Sequence, residues 1–271
     1  MKEQIKQIIN ETANKLQARS RVREYCQARI LQFLQENGLF RSWIFHGGTA
    51  LRFLYRLPRY SEDLDFALKS SKTARNFSEI ISKVTKAFEA EAYSIDTKLN
   101  DQKVVKSAFI RFPGLLHEIG LSPHKSEALS IKIEVDSNPP PGGITETSVI
   151  RRYVILNVQH YDKASLLSGK LHALLARPYI KGRDLYDLFW YLSDPLWPTP
   201  NIKFLNEALL QTTWKGPEIT ESNWNLLTAK RLKSINWETA VKDTHPFIEK
   251  ASDLKLLTKE NVMDILKRRR G

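Results

Sequence analysis

The stretch that decides the fold runs from residue 42 to residue 68 and reads SWIFHGGTALRFLYRLPRYSEDLDFAL. Residues 42–46 are apolar and aromatic, which is typical of a buried strand. Gly47-Gly48 interrupts that strand, and residues 49–57 have the apolar spacing of a short helix. From residue 62 to residue 68 apolar and polar side chains alternate, which predicts a second strand with one buried face. We therefore expect a strand, a glycine turn, a helix and a second strand, in that order.

The turn in this stretch, His46-Gly47-Gly48-Thr49, is suited to binding phosphate. Glycines let the backbone come close to a ligand, and the start of a helix presents free N–H groups that favour an anion. The hydroxyl of Thr49 either binds phosphate or caps the helix. Two glycines before a helix are more often only a tight turn, so this motif depends on support from the rest of the chain.

Asp63-Leu64-Asp65 provides that support on the second strand. The period of two places both carboxylates on one face, with Cα atoms ~6.5–7 Å apart. Such a pair can converge on divalent cations, and oxygen ligands suit magnesium or manganese. Two ions ~3.5–4 Å apart hold triphosphate oxygens and activate an attacking hydroxyl. The alternative is a solvated polar face on an edge strand.

A third carboxylate is expected from the alternating segment 129–136, which reads LSIKIEVD. Its isoleucines and valine point to one face of a strand, and Glu134 and Asp136 point to the other. A carboxylate beyond the Asp pair is commonly needed to orient or deprotonate the nucleophile. Both Glu134 and Asp136 fit that role, and plain surface charge is the alternative.

A basic residue and two acids lie on predicted helices further along the chain. Lys170 is on the helix predicted for residues 165–176, and Asp184 and Asp187 are on the helix predicted for residues 184–192. A lysine can neutralise the charge that builds on a leaving pyrophosphate. Asp184 can position Lys170, ligate metal or cap its helix, and Asp187 is hard to separate from it. The alternative is an ion pair between helices with no catalytic role.

Periodicity also predicts the elements outside these motifs. Residues 2–36 read as helical, and the basic stretch 19–23 favours a division into two helices. A helix over residues 78–92 precedes extended segments at 104–112, 129–136 and 153–158.

Composition excludes several classes of protein. Lys and Arg number 42 against 30 Asp and Glu, a net charge of +12, which makes nucleic acid the first candidate partner. A solvated surface that is merely basic is the alternative. The single cysteine excludes an internal disulfide and a Cys-rich zinc site.

No apolar stretch approaches the ~18 residues of a membrane span, so we expect a cytoplasmic protein that does not associate with a membrane. The loop of P-loop NTPases, the Gly-x-Ser-x-Gly elbow and the protein-kinase motifs are all missing from the sequence.

Taken together, five blocks resemble the AbiEii-type nucleotidyltransferase toxin family. These blocks are FHGGTAL (45–51), RYSEDLDF (59–66), IKIEVD (131–136), GKLHAL (169–174) and KGRDLYDL (181–188). The resemblance covers about residues 43–192. It implies an α+β fold, a DNA polymerase β-like nucleotidyltransferase with a mixed sheet, flanking helices and a helical C-terminal half. We accordingly expect a nucleotidyltransferase-like domain with N-terminal helices over residues 1–160 and a helical domain over residues 161–271.

The resemblance also implies an activity. Members of this family transfer a nucleotide from a nucleoside triphosphate with magnesium, and serve as toxins of toxin–antitoxin or phage-defence pairs with a separately encoded antitoxin. Some add nucleotides to the 3′ end of tRNA, so the expected acceptor here is RNA, specifically tRNA.

The same resemblance assigns roles to individual residues. The nucleotide-binding residues would be Gly47, Gly48, Thr49 and Ser61. The metal ligands would be Asp63 and Asp65, with Glu134 or Asp136. Lys170 and Asp184 would complete the active site. The wider superfamily usually has Gly-Ser in the first motif, and Thr49 keeps the hydroxyl here. Two other readings stay open, a basic RNA-binding module with a vestigial site and a transferase that modifies a protein.

Overall fold

The computed structural model describes residues 2–12, 14–70, 76–212 and 214–269 of the 271-residue chain. The chain divides into two compact units. The first comprises Met1–Arg56, Tyr60–Pro139 and Thr147–His160, and the second comprises Leu57–Arg59, Pro140–Glu146 and Tyr161–Gly271.

A mixed β-sheet with helices forms the first unit. Its strands are β1 (Trp43–His46), β2 (Asp63–Leu68), β3 (Asp96–Asn100), β4 (Val105–Pro113), β5 (Ala128–Asp136), β6 (Thr145–Arg152) and β7 (Val154–Tyr161). Its helices are α1 (Lys2–Asn10), α2 (Lys15–Glu36), α3 (Gly47–Tyr55), α4 (Phe77–Ala90) and the single turn α5 (Leu115–Glu118).

The described strands form one sheet in the order β3-β4-β5-β2-β1-β7-β6. Strand β2 runs antiparallel to β1 and parallel to β5, so the sheet is mixed. The predicted α+β class with a mixed sheet is therefore confirmed.

The alternation in β2 separates a core face from a polar face. Leu64 and Phe66 are buried, and the ring of Phe66 stacks on that of Phe45 with centroids 5.4 Å apart. Burial of each such large apolar side chain contributes roughly 1.5–3 kcal/mol. Asp63 and Asp65 lie on the opposite face and are half-exposed. The same alternation in β5 buries its isoleucines and leaves Glu134 half-exposed.

One expectation drawn from periodicity is wrong, and periodicity missed two strands. The chain does not break at the basic stretch 19–23, which lies inside α2, because arginine is a good helix former. Helix α1 instead ends at Asn10 and α2 begins at Lys15, where the side chain of Asn14 accepts a hydrogen bond from the N–H of Gln17 and caps α2. Strands β3 and β6 were not predicted. Every residue of β3 is exposed, so its sequence carries no apolar alternation.

The second unit is helical. Its helices are α6 (Lys163–Ala176), α7 (Gly182–Ser193), α8 (Ile202–Leu210), α9 (Trp224–Lys233), α10 (Trp237–Thr244) and α11 (Lys259–Arg268). Helix α6 begins where the side chain of Asp162 accepts a hydrogen bond from the N–H of Ser165. The predicted helices at 165–176 and 184–192 are confirmed as α6 and α7. Within the described ranges, no helix combines the length and apolar character that crossing a bilayer requires.

Candidate active site

The glycine turn brings the backbone against a carboxylate. Gly47 is the first residue of α3 and has a φ of +78°, a backbone conformation that residues with a side chain rarely adopt. His46, the residue before it, lies opposite Asp65 in the β1–β2 register. A Cβ atom on Gly47 would come 2.2 Å from Asp65 Oδ2. The carboxylate of Asp65 therefore lies directly against the start of α3, where the first N–H groups of a helix have no partner within the helix.

Thr49 connects this helix to the aspartate strand. Its side chain is fully buried, and its hydroxyl donates a hydrogen bond to the backbone carbonyl of Asp63. No side-chain hydrogen bond caps the start of α3, so the capping alternative for Thr49 is wrong. The hydroxyl instead donates its hydrogen bond to the backbone of β2. Phosphate binding by Thr49 stays a prediction, and it would use the backbone N–H near the start of the helix.

The two aspartates and Glu134 form one polar corner of the sheet. On β5, Glu134 lies opposite Asp65 and Lys132 lies opposite Asp63, while Asp136 is opposite Ala67. Directly opposed residues point to the same face of a sheet, so Glu134 is the closest of the β5 acids to Asp65. Glu134 also pairs with Lys132 at 2.7 Å.

Two other predicted residues lie near this corner, and each takes part in a hydrogen bond that involves the backbone. The carboxylate of Asp136 accepts a hydrogen bond from the N–H of Asn138, in the turn that ends β5. The carbonyl of Ser61 accepts a bond of 3.1 Å from the buried side chain of Gln27 in α2. This bond fastens the segment that leads into β2. Nucleotide binding by Ser61 stays a prediction.

Lys170 and Asp184, the remaining predicted residues, belong to an ion-pair network in the second unit. Lys170 Nζ lies 3.0 Å from Asp184 Oδ1 and 2.7 Å from Asp187 Oδ2. Arg59 holds Asp187 in a bidentate pair, with Nε and Nη2 each 2.6 Å from a carboxylate oxygen. Arg177 Nη1 lies 2.5 Å from the second oxygen of Asp184. Three cations thus alternate with two carboxylates.

The charges in this network stabilise one another. Burial alone would raise the pKa of Asp184, but Lys170 and Arg177 outweigh it and lower that pKa to about 2. Burial likewise opposes the charge of Lys170, and Asp187 and Asp184 overcome it, so the pKa of Lys170 is raised above its ordinary value. Both groups are therefore charged at neutral pH.

Asp184 and Asp187, which the sequence does not distinguish, differ in how deeply they are buried. The side chain of Asp187 is 0% exposed and that of Asp184 is 10% exposed, beside the more exposed Arg177. Asp187 is thus an internal anchor, and Asp184 is the carboxylate nearer to solvent. The sequence indicates no role for Arg59 beyond its place at the start of the RYSEDLDF block. The structure shows ion pairs between the helices that carry Lys170 and Asp184. A catalytic role for these two residues stays a prediction.

Comparison with known proteins decides the family. The family described as nucleotidyl transferase AbiEii toxin, type IV TA system, matches residues 29–259, which is most of the chain. The chain belongs to the AbiEii family. It is therefore a nucleotidyltransferase of the toxin–antitoxin type, and membership implies a nucleoside triphosphate substrate and an antitoxin partner.

Two solved structures with TM-scores above 0.5 share the fold of the AbiEii chain. A candidate nucleotidyltransferase from H. pylori has a TM-score of 0.57 at 16% identity, over 92% of this chain and 94% of that one. JHP933 from Helicobacter pylori has a TM-score of 0.54 at 19% identity, over 92% of this chain and 91% of that one. The nucleotidyltransferase toxin MenT4 from Mycobacterium tuberculosis H37Rv follows with a TM-score of 0.49 and 15% identity, over 100% and 99% of the two chains. No curated protein sequence matches the chain.

The donor set of the AbiEii chain fits the divalent metal that such enzymes use. Across residues 2–12, 14–70, 76–212 and 214–269, no three His, Cys, Asp or Glu side chains form a cluster that would hold a metal alone. Magnesium does not need one, since it is usually bound by one or two carboxylates plus substrate phosphates and water. Asp63 and Asp65 offer oxygen donors only, on one face of β2. Oxygen donors of this kind suit magnesium or manganese better than zinc, whose sites usually include nitrogen or sulfur ligands.

Proposed function

We propose that this AbiEii protein transfers a nucleotide from a nucleoside triphosphate to the 3′ end of an RNA, and that its acceptor is tRNA. The observation that carries the proposal is the contact between the Asp65 carboxylate and the Gly47 backbone. It brings the acid proposed to bind metal against the turn proposed to bind phosphate, within one strand-turn-helix-strand unit. Asp63 completes the pair on the same face.

Each residue of this corner has a distinct role in the proposed reaction. The N–H groups at Gly47 and Gly48 bind triphosphate oxygens. Asp63 and Asp65 hold magnesium, which when bound supplies positive charge to the phosphates and favours attack on the α-phosphorus. Glu134, opposite Asp65, orients or deprotonates the attacking hydroxyl. The RNA 3′ hydroxyl attacks in line and pyrophosphate leaves.

The resemblance supports a role for Lys170 and Asp184 in the same reaction. The raised pKa of Lys170 keeps its amine protonated, which is the form that neutralises phosphate charge. We retain the proposal of a nucleotidyltransferase-like domain over residues 1–160 and a helical domain over residues 161–271. The net charge of +12 supports a polyanionic acceptor.

A labelling assay tests the proposal. The protein is incubated with total tRNA, magnesium and each of the four α-labelled triphosphates, and the products are separated before and after treatment with nuclease or protease. We expect label on RNA with at least one triphosphate, and loss of that label when EDTA is added.

Matched variants assign the activity to the site. Asp63→Asn and Asp65→Asn should each lower incorporation by at least about 100-fold, since each removes a charged metal ligand. Asp264→Asn, an exposed acid on α11, should leave it unchanged. The absence of label with all four triphosphates, or label on a protein alone, would contradict the proposed acceptor. RNA binding that ignores magnesium and survives both variants would favour a vestigial site.

A further inference from the structure

The polar face that carries Asp63 continues across three further strands. In the register of the sheet, Asp63 of β2 lies opposite Lys132 of β5, Lys132 opposite Phe109 of β4, and Phe109 opposite Lys98 of β3. Opposed residues point to the same side of a sheet, so these four side chains form a single row. Arg111, two residues after Phe109, lies in the next row on the same face.

This row faces solvent. Phe109, Lys132 and Arg111 are half-exposed, and Lys98 is exposed. The residues between them in β4, such as Ala108 and Ile110, point the other way and are fully buried in the core. Phe109 is therefore an aromatic ring on the open side of the sheet, with part of its surface in water.

Two cations lie close to the Phe109 ring. Lys132 Nζ lies 5.7 Å from the ring centroid and Arg111 Cζ lies 5.9 Å from it. Each cation also has a carboxylate nearby, Glu134 for Lys132 at 2.7 Å and Asp96 for Arg111 at 3.1 Å. These pairs are partly solvated, and exposed ion pairs are weak enough for a phosphate to compete with them.

We propose that Phe109 stacks an unpaired base of the acceptor RNA, while Lys98, Arg111 and Lys132 bind the phosphates that flank it. This inference rests on the proposed function for the nature of the acceptor. Phe109 is two strands away from Asp63, which is about 10 Å at the usual strand spacing. That distance is short enough for the 3′ end of a single strand held on Phe109 to reach the aspartate pair.

The chemistry of the surface favours single-stranded RNA over a protein. Stacking of a base on an exposed aromatic ring, with basic side chains along the backbone, is the common mode of single-strand recognition on sheets. The core of a protein interface is instead depleted of charged residues. Here a single ring lies among charged side chains.

Binding without catalysis tests the proposal first. The probe is a labelled single-stranded oligoribonucleotide, and its fluorescence anisotropy is measured with the full-length protein and no triphosphate. Loss of stacking in Phe109→Ala should weaken binding by about 5- to 150-fold. Phe109→Trp should restore most of the affinity, because it keeps an aromatic face. Tyr179→Ala, which removes an exposed aromatic side chain of the second unit, is the control and should bind like the wild type.

The salt dependence of binding tests the phosphate contacts. A lost phosphate contact should reduce the slope of log K against log salt by about 0.7 for a single strand. We expect that change for Lys98→Gln and none for Lys83→Gln, an exposed lysine on α4. Equal slopes for the two variants would remove Lys98 from the proposed surface.

Kinetics separate this inference from the proposed function. With tRNA and a triphosphate, Phe109→Ala should raise the KM for RNA and leave the KM for the triphosphate unchanged. A raised KM for the triphosphate alone would assign the ring to the incoming base and overturn the inference. The inference would be overturned if Phe109→Ala bound RNA as the wild type does and kept the wild-type KM for RNA. If Asp63→Asn still lost activity in that case, the proposed function would stand. If no transfer is found, the proposed function fails, and the binding arm still decides whether Phe109 contacts RNA.

Discussion

The carboxylate of Asp65 occupies the space that a side chain at Gly47 would need. The contact joins two segments 18 residues apart, one from the start of α3 and one from the middle of β2. It depends on glycine for two independent reasons, because the backbone at Gly47 has a positive φ and because any Cβ would strike Asp65 Oδ2.

Gly47→Ala should therefore abolish most of the activity. The new methyl group has to displace the Asp65 carboxylate, and a displacement of about 1 Å costs on the order of 100-fold in rate. The left-handed backbone adds roughly 1–2 kcal/mol of destabilisation. The measurements are kcat/KM for nucleotide transfer and the free energy of unfolding.

Gly114→Ala is the matched control for this substitution. Gly114 has a φ of +76°, and a Cβ there would meet no atom within 4 Å. The control should show the backbone cost without the loss of activity per folded molecule. Equal loss of activity in the two variants would mean that strain, and not Asp65, is responsible.

Thr49 should act as a positioning residue for Asp63. Thr49→Val removes the hydroxyl that bonds to the Asp63 carbonyl, and should cost about 1 kcal/mol of stability and lower kcat. Thr49→Ser keeps the hydroxyl and should restore kcat. If Thr49→Val instead raises only the KM for the triphosphate, the hydroxyl contacts substrate.

Glu134 and Asp136 should differ in their effect on catalysis. Glu134 is opposite Asp65, whereas Asp136 lies two residues further along β5, opposite Ala67. We expect Glu134→Gln to lower kcat by roughly 100-fold, in the usual range for loss of a general base. Asp136→Asn should change kcat by much less, and the reverse order would contradict the assignment from register.

Loss of Asp187 should destabilise the second unit more than loss of Asp184. Asp187→Asn leaves the buried Arg59 without its carboxylate, which typically costs about 3–5 kcal/mol. Asp184→Asn affects a carboxylate closer to solvent and should cost less. Urea unfolding of both variants measures the difference, and activity per folded molecule shows whether either residue also serves catalysis.

The acid dependence of stability should report on Asp184. Its pKa in the folded chain is about 2, below the ordinary value of 3.8. A lowered pKa means that the ionised carboxylate stabilises the folded state above pH 3.8, and that this contribution is lost as the pH falls toward 2. The gain amounts to about 2 kcal/mol. The difference in unfolding free energy between wild type and Asp184→Asn should thus be constant above about pH 5 and shrink below pH 4. A gap that stays constant down to pH 2 would contradict the depressed pKa.

Much of the polar corner was predictable because its signals are local. The glycine pair, the apolar spacing after it and the alternation around Asp63 and Asp65 each depend on neighbours a few residues away. Strands β3 and β6 escaped prediction because every residue of β3 is exposed and only Ile150 of β6 is buried, so neither shows the apolar alternation that marks a strand. The division of the chain at residue 160 and the roles of the individual site residues stay predictions.

The sequence by itself determined the order strand, glycine turn, helix and strand, and it placed Asp63 and Asp65 on one face, since periodicity and glycine act over a few residues. Only the tertiary structure decided that Glu134 lies beside Asp65, that Arg59 holds Asp187, and that Phe109 shares the face of Asp63. These relationships join residues far apart in the chain. Strand register and the pairing of buried charges set them, and both depend on how distant segments pack.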